Sequence, residues 1–166
     1  MILQEPFEII LSQLIELLSQ LDRDAYKMEM QLLSGSTLGK HFRHILNFYE
    51  NLYQGFLTGV VCYDSRNRDS QIEEDLLYAK KQFHDYMVKL SVLPMQTTLQ
   101  LEAKVEIDSE KTSLVTTTTV EREILYVIEH TIHHMAIIKM AVLHYYPHIP
   151  IPANLGVAFS TIRQTA

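Results

Sequence analysis

EREILYVIEHTIHHMAIIKMAVLHYY, residues 121–146, is the stretch that decides the fold class. Val127, His130, His134, Ile137 and Ala141 recur in alternating steps of three and four, the spacing that gives an α-helix one continuous packing seam. Such a seam needs neighbouring helices to cover it, so the chain reads as helices packed on helices. Two seam positions are histidines. Residues four apart are offset by about 40° around a helix axis, so His130 and His134 project side by side, one turn apart. His133 points about 60° to the other side of His130, where it reads as a surface residue or one that supports a ligand from behind.

Working outward, three further helical patterns precede this one. The first opens at Pro6, a favoured first-turn residue. It carries Phe7, Ile10, Leu11, Leu14, Leu17, Leu18 and Leu21, then runs less regularly to about Leu33, where Ser34-Gly35-Ser36 ends it. Thr37 caps a second helix with Leu38, Phe42, Ile45, Leu46, Tyr49, Leu52, Tyr53 and Phe56, closed by Gly59. After a polar loop from Tyr63 to Asp69, Ser70 and Glu73 form a capping box that opens a third helix, stopped by Pro94. The period then falls to two. Leu99, Leu101, Ala103, Val105 and Ile107 alternate with polar residues, Asp108 to Lys111 reads as a turn, and Thr112–Thr119 follows, which together predict a β-hairpin laid on the helices. Thr118 with Glu121 forms a second capping box, and Pro147, Pro150 and Pro152 end the fourth helix. The partly apolar tail from Ala153 is expected to dock. Residues 1–166 read as a single domain.

Composition narrows the function classes. A net charge of -6 argues against a nucleic-acid binder, which would show a basic face; Arg66–Arg68 and Lys80–Lys81 are too short to make an electrostatic track. The single cysteine, Cys62, excludes an internal disulfide and fits a reducing compartment; beside Val60 and Val61 it reads as a buried small hydrophobe. The start, MILQEPFEII, lacks the basic region of a secretion signal. No apolar run approaches the roughly 20 residues that cross a bilayer. The expectation is a cytoplasmic protein without membrane or nucleic-acid partners.

Of the eight histidines, five fall in two windows: His130, His133 and His134 in EHTIHHMAIIK, and His41 with His44 in GKHFRHILNFY. One reading makes them core histidines satisfied by hydrogen bonds. The other makes His130 and His134 a pair of imidazoles gripping one metal ion, with a third from the second helix and open positions for water or substrate. His41 and His44 share a helix face, and spacing leaves either as that third ligand. Glu123 is read as an exposed first-turn glutamate favoured by the helix dipole, the alternative being a carboxylate that orients a ligand imidazole or acts as a base on metal-bound water. Other chemistries fit badly. No glutamate has a histidine three residues after it, as a di-iron bundle requires. There is no His-Glu-x-x-His, and Gly35, Gly39 and Lys40 are misspaced for a phosphate loop.

The histidine within GKHFRHILNFYE, the His-x-x-x-His of His130 and His134, and the order of the four helices together resemble the DinB/YfiT-like superfamily of metal-dependent enzymes. The resemblance covers nearly the whole chain. It implies an up-down-down-up four-helix bundle, here with a small β-hairpin between the third and fourth helices, and a divalent metal, zinc or nickel, on three histidines. Aligned by its apolar neighbours, the second-helix motif places the ligand on His44, giving His44, His130 and His134. It departs from many members after His134, where Met135-Ala136-Ile137 replaces the frequent Arg-Gly-Gln. Relatives with known reactions include thiol-dependent transferases and a thiol-dependent isomerase. The resemblance therefore implies a metal-dependent enzyme on a small-molecule substrate, with a low-molecular-weight thiol as co-substrate, or a hydrolase. The rival is a non-catalytic dimeric bundle whose metal is structural or absent. Tyr49, Tyr53, Phe56, Val157 and Phe159, read as apolar residues left over by the bundle, motivate a homodimer.

Overall fold

The computed structural model describes residues 4–65, 69–107 and 110–162. Seven α-helices and a three-stranded mixed sheet make up these residues, and the chain is mostly helical. Four helices are long: α1 (Gln4–Gln20), α3 (Leu38–Thr58), α5 (Leu76–Ser91) and α6 (Val120–Tyr145). Both α1 and α3 pack on α5 and on α6. The seam residues Val127 and Ala141 of α6 are buried, as are Leu11, Leu14, Leu17 and Leu18 of α1. Each such leucine contributes roughly 1.5–3 kcal/mol through removal from water.

The first expected helix is broken. α1 stops at Gln20, because Asp22 caps a new short helix, α2 (Arg23–Lys27), by accepting the Ala25 N–H at 2.7 Å. A 3-10 turn, Gln31–Leu33, then ends at Ser34 in the left-handed region (φ 55°), followed by Gly35. The Met30 N–H reaches the Ser36 carbonyl at 2.9 Å across this reversal. The apolar pattern only loosens across the break, since Leu21, Ala25, Met30 and Leu33 stay buried through it.

Thr37 caps α3 by accepting the Lys40 N–H at 3.1 Å, and Gly59 closes it at φ 84°. That left-handed turn leads directly into a strand the sequence reading did not include, β1 (Val60–Val61), which runs parallel to β2 (Thr98–Ile107). Gly55 is required here, since a Cβ on it would stand 2.4 Å from a Val61 methyl. The third expected helix is also two. Asp69, not Ser70, caps α4 (Ser70–Glu74), and Asp75 caps α5 by accepting the Leu77 and Tyr78 N–H groups. β2 pairs antiparallel with β3 (Glu110–Thr119), from Thr98 opposite Thr119 to Ile107 opposite Glu110. Glu110 and Lys111, read as turn, belong to β3; Asp108, Ser109 and the basic triplet Arg66–Arg68 lie outside the described residues.

Thr119, rather than Thr118, caps α6, accepting the Arg122 N–H at 3.2 Å. Beyond Tyr145 the tail packs back as far as Ile162, residues 163–166 lying outside the described ones. Ile149 and Leu155 are buried, the Gln13 side chain donates to the Ala153 carbonyl at 2.9 Å, and α7 (Phe159–Ile162) follows. Among the described residues, no helix is long and apolar enough to cross a membrane.

Candidate metal centre

Helices α3 and α6 cross with their histidines facing. His41 meets His134, His44 meets His130, and Phe48 meets Tyr126, so the two helices run in opposite directions. His44 Nε2 and His130 Nε2 stand 3.1 Å apart, and His41 Nδ1 and His134 Nδ1 stand 3.4 Å apart. One ring nitrogen from each of His44, His130 and His134 lies within 4.8 Å of the others. His41 and His44, which spacing left as equals, thus differ in place: His44 completes the trio, and His41 abuts His134 from outside it. His133 is exposed.

The trio fits a divalent ion. Tetrahedral zinc with bonds of about 2.0–2.1 Å to imidazole holds two ligand nitrogens about 3.3 Å apart, close to the 3.1 Å between His44 and His130. Ligating imidazoles must also be neutral. Burial first, then the neighbouring His44, His130, His41 and His133, holds His134 down to about 3 from its ordinary 6.5. Burial also lowers His41, and burial together with His133 lowers His130. These rings therefore present lone pairs, not positive charge, at neutral pH.

An aromatic wall fixes the His130 side. Phe48 stacks on His130 with centroids 3.8 Å apart and planes at 22°, and stacks on Tyr63 at 5.0 Å and 17°. The Tyr63 hydroxyl donates to Glu123 Oε2 at 2.9 Å. Glu123 is not the exposed first-turn residue its position suggested; it is fully buried. Thr118 donates to its Oε1 at 2.6 Å and Arg122 at 2.8 Å. Burial, and then the charge of Glu123, pushes the Tyr63 phenol up, so the phenol keeps its proton and remains the donor. The carboxylate reaches none of the cluster histidines by a hydrogen bond; it anchors Tyr63, which braces Phe48.

The sequence reading passed over Phe48, Tyr63 and Tyr126. A signal for two of them was present: Phe48 lies one turn after His44 and Tyr126 one turn before His130. Tyr63 had none, because a loop residue's destination depends on β1 pairing with β2. Two further readings are corrected. Tyr49 is not surplus surface; it is fully buried and bonded to Thr131 Oγ1 at 2.7 Å. Cys62 is half-buried rather than buried.

Comparison of the chain with protein-family models, with curated proteins and with solved structures finds no match.

Proposed function

We propose that this chain is a DinB-like metal-dependent enzyme in which His44, His130 and His134 hold one divalent ion, zinc or nickel. The observation that carries this reading is the convergence of three half-buried imidazoles, from two helices, at ligand spacing. The helix directions support the up-down-down-up bundle: α3 runs opposite to α6, while Phe42 and Tyr49 both meet Phe83 and Tyr53 meets Tyr86, so α3 advances with α5.

Each residue then has a task. With His134 in the tautomer whose Nδ1–H donates to His41 Nδ1, its other nitrogen would be the lone-pair ligand atom. His44 and His130 offer Nε2. Phe48, braced by Tyr63 and Glu123, keeps the His130 ring from turning, so the ligands are positioned before the ion arrives. Three neutral imidazoles would leave a divalent ion its full charge, and the chemistry it would supply is easier ionisation of a thiol or water at neutral pH. Three protein ligands rather than four favour catalysis over a structural role.

The proposed reaction class is transfer or addition of a low-molecular-weight thiol to a small molecule, with hydrolysis as the second mechanism, in a cytoplasmic homodimer. The test is spectroscopic. Small thiols added to cobalt- or nickel-loaded protein should shift its visible bands, and His130→Ala should abolish the response. An unchanged spectrum at saturating thiol, with a fourth protein ligand filling the coordination shell, would turn the reading to a structural metal.

A further inference from the structure

The reversal at Ser34 and Gly35 does more than end a helix. It holds the 3-10 turn against α6 just beyond the histidines, where the Leu32 N–H donates to the Tyr145 hydroxyl at 3.3 Å. Between turn and helix lies a cavity of about 360 Å³, lined by Leu32, Leu33, Ser34, His41, Ile137 and Met140. A cavity of about 640 Å³ bordered by Arg23, Gln71, Glu74 and Asp75 contains no histidine. The smaller one shares His41 with the cluster, and His41 Nδ1 is 3.4 Å from His134 Nδ1. Ile137 lies on the same face of α6 as His134, one turn on. The recess thus has apolar walls and an imidazole where it meets the cluster, the usual plan of a small-ligand site, and its volume is near the lower end of the roughly 300–1,000 Å³ such sites span.

We propose that this recess receives the short aliphatic part of the substrate while the substrate's polar, reacting end lies at the histidine cluster. The substrate class is a compact alkyl compound with one polar terminus, such as an aliphatic thiol, rather than a sugar or a charged peptide, for which four apolar lining residues supply too few partners. The placement of the head group rests on the metal reading above; the binding of the chain to the recess does not.

Two arms of one experiment separate these. In metal-free protein, n-alkanols from ethanol to octanol are titrated while backbone amide signals are followed. Leu32, Ser34, Ile137 and Met140 should shift, and affinity should rise about fourfold per methylene until the recess is full. In cobalt-loaded protein, ethanethiol and hexanethiol are compared through the visible bands. Hexanethiol should bind on the order of 100-fold more tightly, and Met140→Trp or Leu32→Trp, both at exposed positions, should collapse that ratio towards one. Alkanol shifts elsewhere, or affinity independent of chain length, would overturn the recess as a binding site whatever the metal does. Recess shifts in a protein that takes up no cobalt would uphold the recess and overturn the metal reading. A thiol ratio near one in the wild-type protein would overturn the link between recess and cluster.

Discussion

Two polar groups sit on the inner face of α6 and have opposite surroundings. Glu123, near the start of the helix, is fully buried and receives hydrogen bonds from Tyr63, Thr118 and Arg122. Two turns further on, His130 and His134 are half-buried and face His44 and His41 of α3. A buried carboxylate with three donors is a finished structural joint, tying loop, hairpin and helix together. Imidazoles that face one another across two helices, with burial lowering His41, His130 and His134, offer a set of ring nitrogens that could hold a cation. The same helix thus carries one polar group that stabilises the fold and another set whose geometry anticipates a ligand.

That contrast can be broken by exchange of substitutions. His130→Ala should lower metal affinity by more than about 100-fold, with little change in the unfolding midpoint of the metal-free protein; metal titration and urea denaturation read the two quantities. Glu123→Ala should act mainly on stability, with a smaller loss of metal affinity because Tyr63 and Phe48 lose their brace. Tyr63 and Thr118 would be left with buried hydroxyls lacking their acceptor, costing about 3 kcal/mol, while the folded chain still takes up stoichiometric metal. A loss of metal affinity in Glu123→Ala as large as that in His130→Ala, at temperatures where it remains folded, would show that the two regions are one site.

Acid should sharpen the comparison. Between about 3 and the ordinary 6.5, an unfolded chain protonates His134 and the folded one does not, so the unfolded state binds more protons and stability rises with pH. The contribution is therefore lost as pH falls below about 6.5, and lowered His41 and His130 act in the same direction. The metal-free protein should show a lower urea midpoint at pH 5 than at pH 7.5, and His134→Gln should flatten that difference. An equal slope in the variant would mean that another group governs the acid response. The smallest effect belongs to His133, which is exposed: His133→Ala should keep metal affinity within about threefold, far below the effect of losing a ligand.

The legibility of these two regions in the sequence differs for a physical reason. The histidine pair is local, since His130 and His134 share a face by helix geometry alone, and α3 announces itself through Thr37, its apolar stripe and Gly59. The hairpin is equally plain in its period of two. Glu123 is not legible, because its burial depends on Tyr63 and Thr118 arriving from other elements, and on Val60–Val61 pairing with a strand about forty residues away in sequence. The break after Gln20 was hidden for the opposite reason: Asp22 stops the helix locally, yet the buried residues continue across the stop. The capping boxes were displaced by one residue each, at Asp69 and Thr119, where a neighbouring side chain makes the cap instead.

The central claim, that His44 rather than His41 joins His130 and His134 around one ion, is tested most directly by cobalt titration of the wild-type, His41→Ala and His44→Ala proteins under identical conditions. The account predicts one cobalt per chain in the wild type, one in His41→Ala at about tenfold weaker affinity, and loss of stoichiometric binding in His44→Ala. A wild-type protein that takes up no cobalt, or full binding by His44→Ala with loss in His41→Ala, would contradict it.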